Sequence, residues 1–169
     1  MGLFSFIKNA GAKIFGVGKT TEEEKAEAKA NANEKAASDE LKSEEQAGKK
    51  LEQTIEDLQL DVENLKIVID DDQATVTGKA YDQSTKEKVV LVIGNTNGIA
   101  TVDDQMSVDH IEPEAKFYTV VKGDTLSKIA KEYYGNANKY QQIFEANKPM
   151  LKDANLIYPG QVLRIPNMD

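Results

Sequence analysis

The chain contains no cysteine, and His110 is its single histidine. Without thiols there is no disulfide framework, thiolate metal centre or cysteine nucleophile. One histidine excludes multi-histidine metal sites and leaves a poor setting for Ser-His catalysis. His110 falls in a stretch that reads as a linker and is expected to be solvated. Proline is scarce, and no apolar run is long enough to span a bilayer. Basic residues are outnumbered, 21 Lys+Arg against 29 Asp+Glu for a net charge of −8. Nowhere do they concentrate into a patch, so nucleic acid is not an expected partner. The acidic residues fall mostly on turns and in one solvated segment, which signals no glycosidase-type carboxylate pair. A non-enzymatic binding role is the expectation.

The N-terminus is apolar but short. Leu3, Ile7, Ala10 and Ile14 repeat at helical spacing, with Phe4, Phe6 and Phe15 widening the face and Lys8 and Lys13 interrupting it. Such a segment is expected to dock on the folded protein, because two lysines attract it only weakly to a membrane surface. Ala10-Gly11-Ala12 imitates a signal-cleavage site, yet the apolar stretch before it is too short and lacks a basic leader. Retention in the cytoplasm is expected. From Gly16 to Gly48, Ala, Glu and Lys dominate and no large apolar residue follows Val17 until Leu41. Thr21 with Glu24 forms a capping box, and the composition predicts a helical or disordered spacer.

A helix with an apolar face is predicted from Lys49, where Leu51, Ile55, Leu58 and Val62 recur every three or four residues. Leu65 to Ile69 and Ala74 to Thr77 read as strands around an Asp70-Asp71-Asp72-Gln73 turn. The three carboxylates lack the alternation, glycine and distal Glu of an EF-hand loop, so a solvated hairpin turn is expected. Ser84 and Glu87 suggest a capping box opening a helix whose Val89, Val90 and Ile93 face inward and which Gly94 ends. Asn95-Thr96-Asn97-Gly98 is a turn, and Ile99 to Val108 a third strand. This order, with ATVTG in the second strand and VIGNTNGIATVDDQM closing the unit, resembles a BON domain. The resemblance implies a small α/β module associated with envelope proteins and with lipid or small-ligand binding.

Phe117 to Pro166 predicts strand, helix, helix, strand. Asp124 is placed to accept the first N–H groups of a helix from Thr125, with Leu126, Ile129, Ala130 and Tyr133 on one face. Gly135 suits a left-handed helix end, Asn136 a following cap, and Tyr140, Ile143 and Phe144 the next buried face. Tyr158-Pro159-Gly160-Gln161 fits a type II turn before a strand from Val162 to Ile165. YTVVKGDTLSKIA, EANK and IYPGQVLRIP resemble a LysM domain. That resemblance implies an N-acetylglucosamine-type glycan groove formed by Gly123, Asp124, Thr125 and Leu126 facing Leu156, Ile157 and Tyr158.

Together these resemblances predict an α+β chain: a docking segment at 1–15, a spacer at 16–48, a BON domain at 49–108, a linker at 109–116 and a LysM domain at 117–169. The combination is similar to the bacterial cytoplasmic BON–LysM potassium-binding proteins. Potassium is held by neutral oxygens, backbone carbonyls above all, and leaves no acidic signature. Irregular backbone near Ala10-Gly11-Ala12 and Gly94 to Gly98 can turn carbonyls away from helix bonding. The resemblance implies that main-chain oxygens of Ile7, Ala10 and Ala12, of Gly94 and Thr96, and of Val102 or Asp103 hold the ion. It implies a monomeric ion sensor that changes conformation on binding. The alternatives are an envelope protein binding peptidoglycan through LysM, and a protein-interaction scaffold.

Overall fold

The computed structural model describes residues 2–6 and 34–167. Its elements are β1 (Gly2–Ser5), α1 (Glu34–Asp57), β2 (Val62–Asp70), β3 (Gln73–Asp82), α2 (Gln83–Gly94), β4 (Thr101–Asp104), β5 (Ser107–His110), β6 (Lys116–Thr119), α3 (Leu126–Tyr134), a 3-10 turn (Ala137–Lys139), α4 (Tyr140–Ala146) and β7 (Val162–Ile165). The fold is α+β, as the sequence predicts.

The first unit is a mixed sheet in the order β1-β4-β3-β2, with β5 also pairing β3. β2 and β3 form the expected antiparallel hairpin, closed by Asp70 opposite Gln73. It is longer than predicted, because β3 carries two partners in succession on its other side. β4 runs parallel to Gln73–Val76 and β5 parallel to Lys79–Asp82. The single strand expected from Ile99 to Val108 is therefore two, broken where the Gln105 N–H donates to the Val76 carbonyl at 2.9 Å. His110 lies on β5 rather than in a linker: it is exposed, its ring packs tilted against that of Tyr81 with centroids 4.6 Å apart, and Nδ1 is 3.1 Å from the Tyr81 carbonyl. Inward-facing Ile67, Ile69, Ala74 and Val76 meet Leu51 and Ile55 of α1 and the apolar run of α2.

Three further expectations change in the first unit. The N-terminal residues are extended, not helical: β1 pairs antiparallel with β4, Phe4 opposite Val102. Alternating burial along Gly2–Ser5 matches a period of two, and the open edge of β4 supplies hydrogen-bond partners that no isolated short helix has. The helix expected from Lys49 begins at Glu34, so the end of the presumed spacer is structural; Gly48 is buried. The α2 cap is Asp82, accepting from the Thr85 N–H at 2.7 Å, while Glu87 is buried and used elsewhere. The Thr21–Glu24 box lies outside the described residues.

The second unit pairs β6 antiparallel with β7 and lays α3 and α4 over the pair. Gly135 ends α3 in the left-handed region and Asn136 caps the 3-10 turn, as predicted. Gly160 has φ 87° and the Gln161 N–H reaches the Tyr158 carbonyl at 3.0 Å, the expected turn. Thr125, not Asp124, caps α3 by accepting from the Lys128 N–H.

Candidate functional site

The run Val89–Ile93 is buried on every side, and α2 ends in a buried turn at Gly94, Asn95 and Thr96. Asn95 N–H donates to the Leu91 carbonyl, Thr96 N–H to Ile93 and Thr96 Oγ1 to Val92, at 2.9, 3.0 and 2.8 Å. The Ile99 N–H returns to the Thr96 carbonyl, with Gly98 at φ 98° allowing the reversal. None of these closing bonds takes the Gly94 carbonyl. The N-terminal strand arrives at this same turn. Phe6 N–H donates to the Ala100 carbonyl at 2.7 Å, and the Phe6 ring lies against the Cα of Gly94, where a side chain would collide with it.

Of the predicted ion ligands, Gly94 and Thr96 thus share one buried turn with the docked N-terminal residues beside it. Val102 and Asp103 lie next door on β4, where pairing with β1 on one side and β3 on the other sets their peptide groups between two ladders. Ile7, Ala10 and Ala12 lie outside the described residues.

Asn95, between Gly94 and Thr96, reaches the second unit. Its Nδ2 donates to the Val162 carbonyl at 2.9 Å and contacts Met150 Sδ at 3.4 Å, while its Oδ1 accepts from the Val162 N–H at 2.8 Å. Asn147 makes the corresponding pair with Arg164, at 2.8 and 2.7 Å. Two amides thereby occupy the edge of β7 that faces away from β6. Beside them Arg164 Nε donates to buried Glu87, whose other oxygen accepts from Gln83 Nε2 and the Ala115 N–H, each at 3.0 Å. Half-buried Lys88 is held below the ordinary lysine range by burial and then by Arg164. Sequence reasoning missed this interface because Asn95 reads as a turn former and Glu87 as a cap. Its available signal was Val89-Val90-Leu91-Val92-Ile93, apolar all round the helix and so requiring partners on two sides.

The predicted glycan positions divide. Val120 exchanges hydrogen bonds with the Gly160–Gln161 turn, which brings the Val121–Asp124 loop and the Leu156–Tyr158 loop to one end of the β6–β7 pair. Leu156 and Tyr158 are exposed and Ile157 half-buried, whereas Leu126 is buried in the core. Asp124 accepts from Tyr118 Oη at 2.8 Å and the Val121 N–H at 2.9 Å, and the first bond pushes Tyr118 up to about 12. Gly123 offers its carbonyl to Lys128 Nζ. Where α1 meets the turn of the β2–β3 hairpin, carboxylates of Glu40 and Glu44 from the helix and Asp71 from the turn converge within 4.8 Å. Glu44 is raised by burial and by its acidic neighbours, against the lowering effect of the Asp71 N–H it accepts.

Family models for a BON domain and a LysM domain match residues 43–110 and 118–166. The chain is 44% identical over 166 residues, 98% of its length and 99% of the relative's, to potassium binding protein Kbp of Escherichia coli. Shorter matches include an uncharacterized protein of Deinococcus radiodurans, 51% identical over 29% of this chain and 19% of that protein. Another is an esterase of Mycobacterium tuberculosis, 46% identical over 32% of this chain and 12% of the esterase.

Proposed function

The chain belongs to the BON–LysM family of potassium binding protein Kbp, and from that premise we propose that it is a non-enzymatic potassium-ion binding protein that changes conformation on binding. The observation that carries the reading is the meeting of the N-terminal strand with the Gly94–Gly98 turn, through the Phe6–Ala100 bond and the Phe6 ring on Gly94. A large monovalent cation is satisfied by neutral oxygens in place of water. The buried turn offers peptide carbonyls of that kind at Gly94 and Thr96. Ile7, Ala10 and Ala12, with Val102 or Asp103, complete the proposed donor set. The proposed parts are the segment 1–15, BON domain, 109–116 linker and LysM domain, acting as a cytoplasmic monomer.

Exposed Leu156 and Tyr158 at the loop end of LysM favour a second, compatible contact with an N-acetylglucosamine glycan. One set of NMR titrations tests both. Potassium is expected to shift the amides of Gly94 to Gly98 at concentrations where sodium does not, and a chitooligosaccharide to shift Gly123 to Leu126 and Leu156 to Tyr158. With Asp70, Asp71 and Asp72 all changed to Asn, potassium affinity should stay within about twofold, since a site of neutral carbonyls takes no ligand from these side chains and solvent ions screen their charge. No response to potassium would remove the reading, and loss of binding in the triple variant would move the site to the hairpin.

A further inference from the structure

We propose that Asn95 is the positioning residue that links ion binding in the BON turn to docking of the LysM domain. This deepens the potassium reading and rests on it. The main chain of Asn95, at φ −83° and ψ 1°, connects the two proposed carbonyl donors Gly94 and Thr96, so its conformation sets how those carbonyls are oriented relative to each other. Its side chain is at the same time fully committed to the other domain, giving Val162 both bonds that a neighbouring strand would give. An ion that fixes the turn and a strand edge that fixes the amide therefore select one and the same Asn95 conformation.

The comparison with Asn147 makes the assignment specific. Asn147 pairs with β7 in the same way two residues along, but it belongs to β7's own domain and also donates to the Ile143 carbonyl at 2.7 Å. Its pairing does not depend on where the BON domain sits. That of Asn95 exists only in the docked arrangement, and its Oδ1 and Nδ2 are buried there. A side chain of other length or lacking either the donor or the acceptor leaves one Val162 group unpaired away from water. Coupling between two sites is reciprocal: if the ion favours docking, docking must favour the ion by the same factor.

The test is potassium titration of the full chain and of Asn95→Ala, Asn95→Ser and Asn147→Ala, with the Val162 amide resonance and a circular-dichroism melt recorded for each. Wild type is expected to bind potassium with a shift at Val162. Asn95→Ala should bind about tenfold more weakly, as loss of two buried neutral hydrogen bonds to a conformational equilibrium predicts, with Val162 no longer following the ion. Asn95→Ser, too short to reach Val162, carries the same expectation should the alanine variant fail to fold. Asn147→Ala should lower the melting temperature while keeping wild-type affinity and the Val162 response. Folded Asn95 variants with unchanged affinity, or an Asn147→Ala that loses affinity equally, overturn the link while leaving the ion reading intact. A wild type that ignores potassium overturns both.

Discussion

Gly94 carries two functions that only the folded chain separates. It ends α2, as its position after Val89–Ile93 suggests, and it also seats the ring of Phe6, which lies where a Cβ would be. The first role has a local cause and is legible in the sequence. The second depends on a residue 88 positions away and has no local signal. Gly94 has no positive φ to make alanine strained in itself, so the cost of Gly94→Ala must come from the collision. Forced displacement of a packed ring costs about 1–3 kcal/mol. Urea unfolding should find that loss in Gly94→Ala and little further loss when Gly94→Ala is added to Phe6→Ala, because the ring that collides is gone. Equal costs in both backgrounds would show that Phe6 does not rest on this glycine.

The register of α1 against β2 explains why the helix extends ahead of its apolar face. Glu44, Gly48 and Glu52 recur every four residues and lie along the outer edge of β2: Glu44 accepts the Asp71 N–H at 2.9 Å, Glu52 accepts the Ile67 N–H at 2.8 Å, and Gly48 lies under the Ile67 carbonyl. A polar helix face thus covers a strand edge that would otherwise be open to pairing with another chain. Hydrophobic periodicity located the helix from Leu51 onward but not before it, since this contact uses carboxylates and a missing side chain. The strand pattern shows the same division. Alternation located the hairpin of β2 and β3, while β1, whose partner lies about a hundred residues on, read as a helix. Replacing glycine by alanine inside an exposed helix gains about 1 kcal/mol. Gly48→Ala should do the opposite, since its Cβ would come within 2.5 Å of the Ile67 oxygen, part of a backbone held in the sheet. A lowered melting temperature with faster amide exchange at Ile67 and Asp71 is expected, and a stabilised variant would show that α1 does not lie this close to β2.

At the scale of the whole molecule, α2 is the element both domains share. One side packs on the BON sheet, and the other meets β7, so the five apolar residues from Val89 to Ile93 are all buried. Around that contact the polar groups are matched: amide to peptide at Asn95 and Val162, guanidinium to carboxylate at Arg164 and Glu87, and the same carboxylate to the Ala115 N–H at the entrance to β6. A buried ion pair need not stabilise relative to apolar packing, but removing one member leaves an uncompensated charge and costs about 3–5 kcal/mol. Arg164→Met should therefore loosen the interface strongly, and Lys88, now held low by burial and by Arg164, should move back toward the ordinary lysine range. Glu87→Gln in the same chain keeps an acceptor for Ala115 while removing the stranded charge, so the double variant should recover part of what Arg164→Met loses. A double-mutant cycle read by urea unfolding, with one probe in each domain, measures the coupling. Recovery seen by both probes would establish that the pair holds the domains together; additive losses, with no recovery, would confine Arg164 to a role within LysM and leave Asn95 as the principal polar tie across the interface.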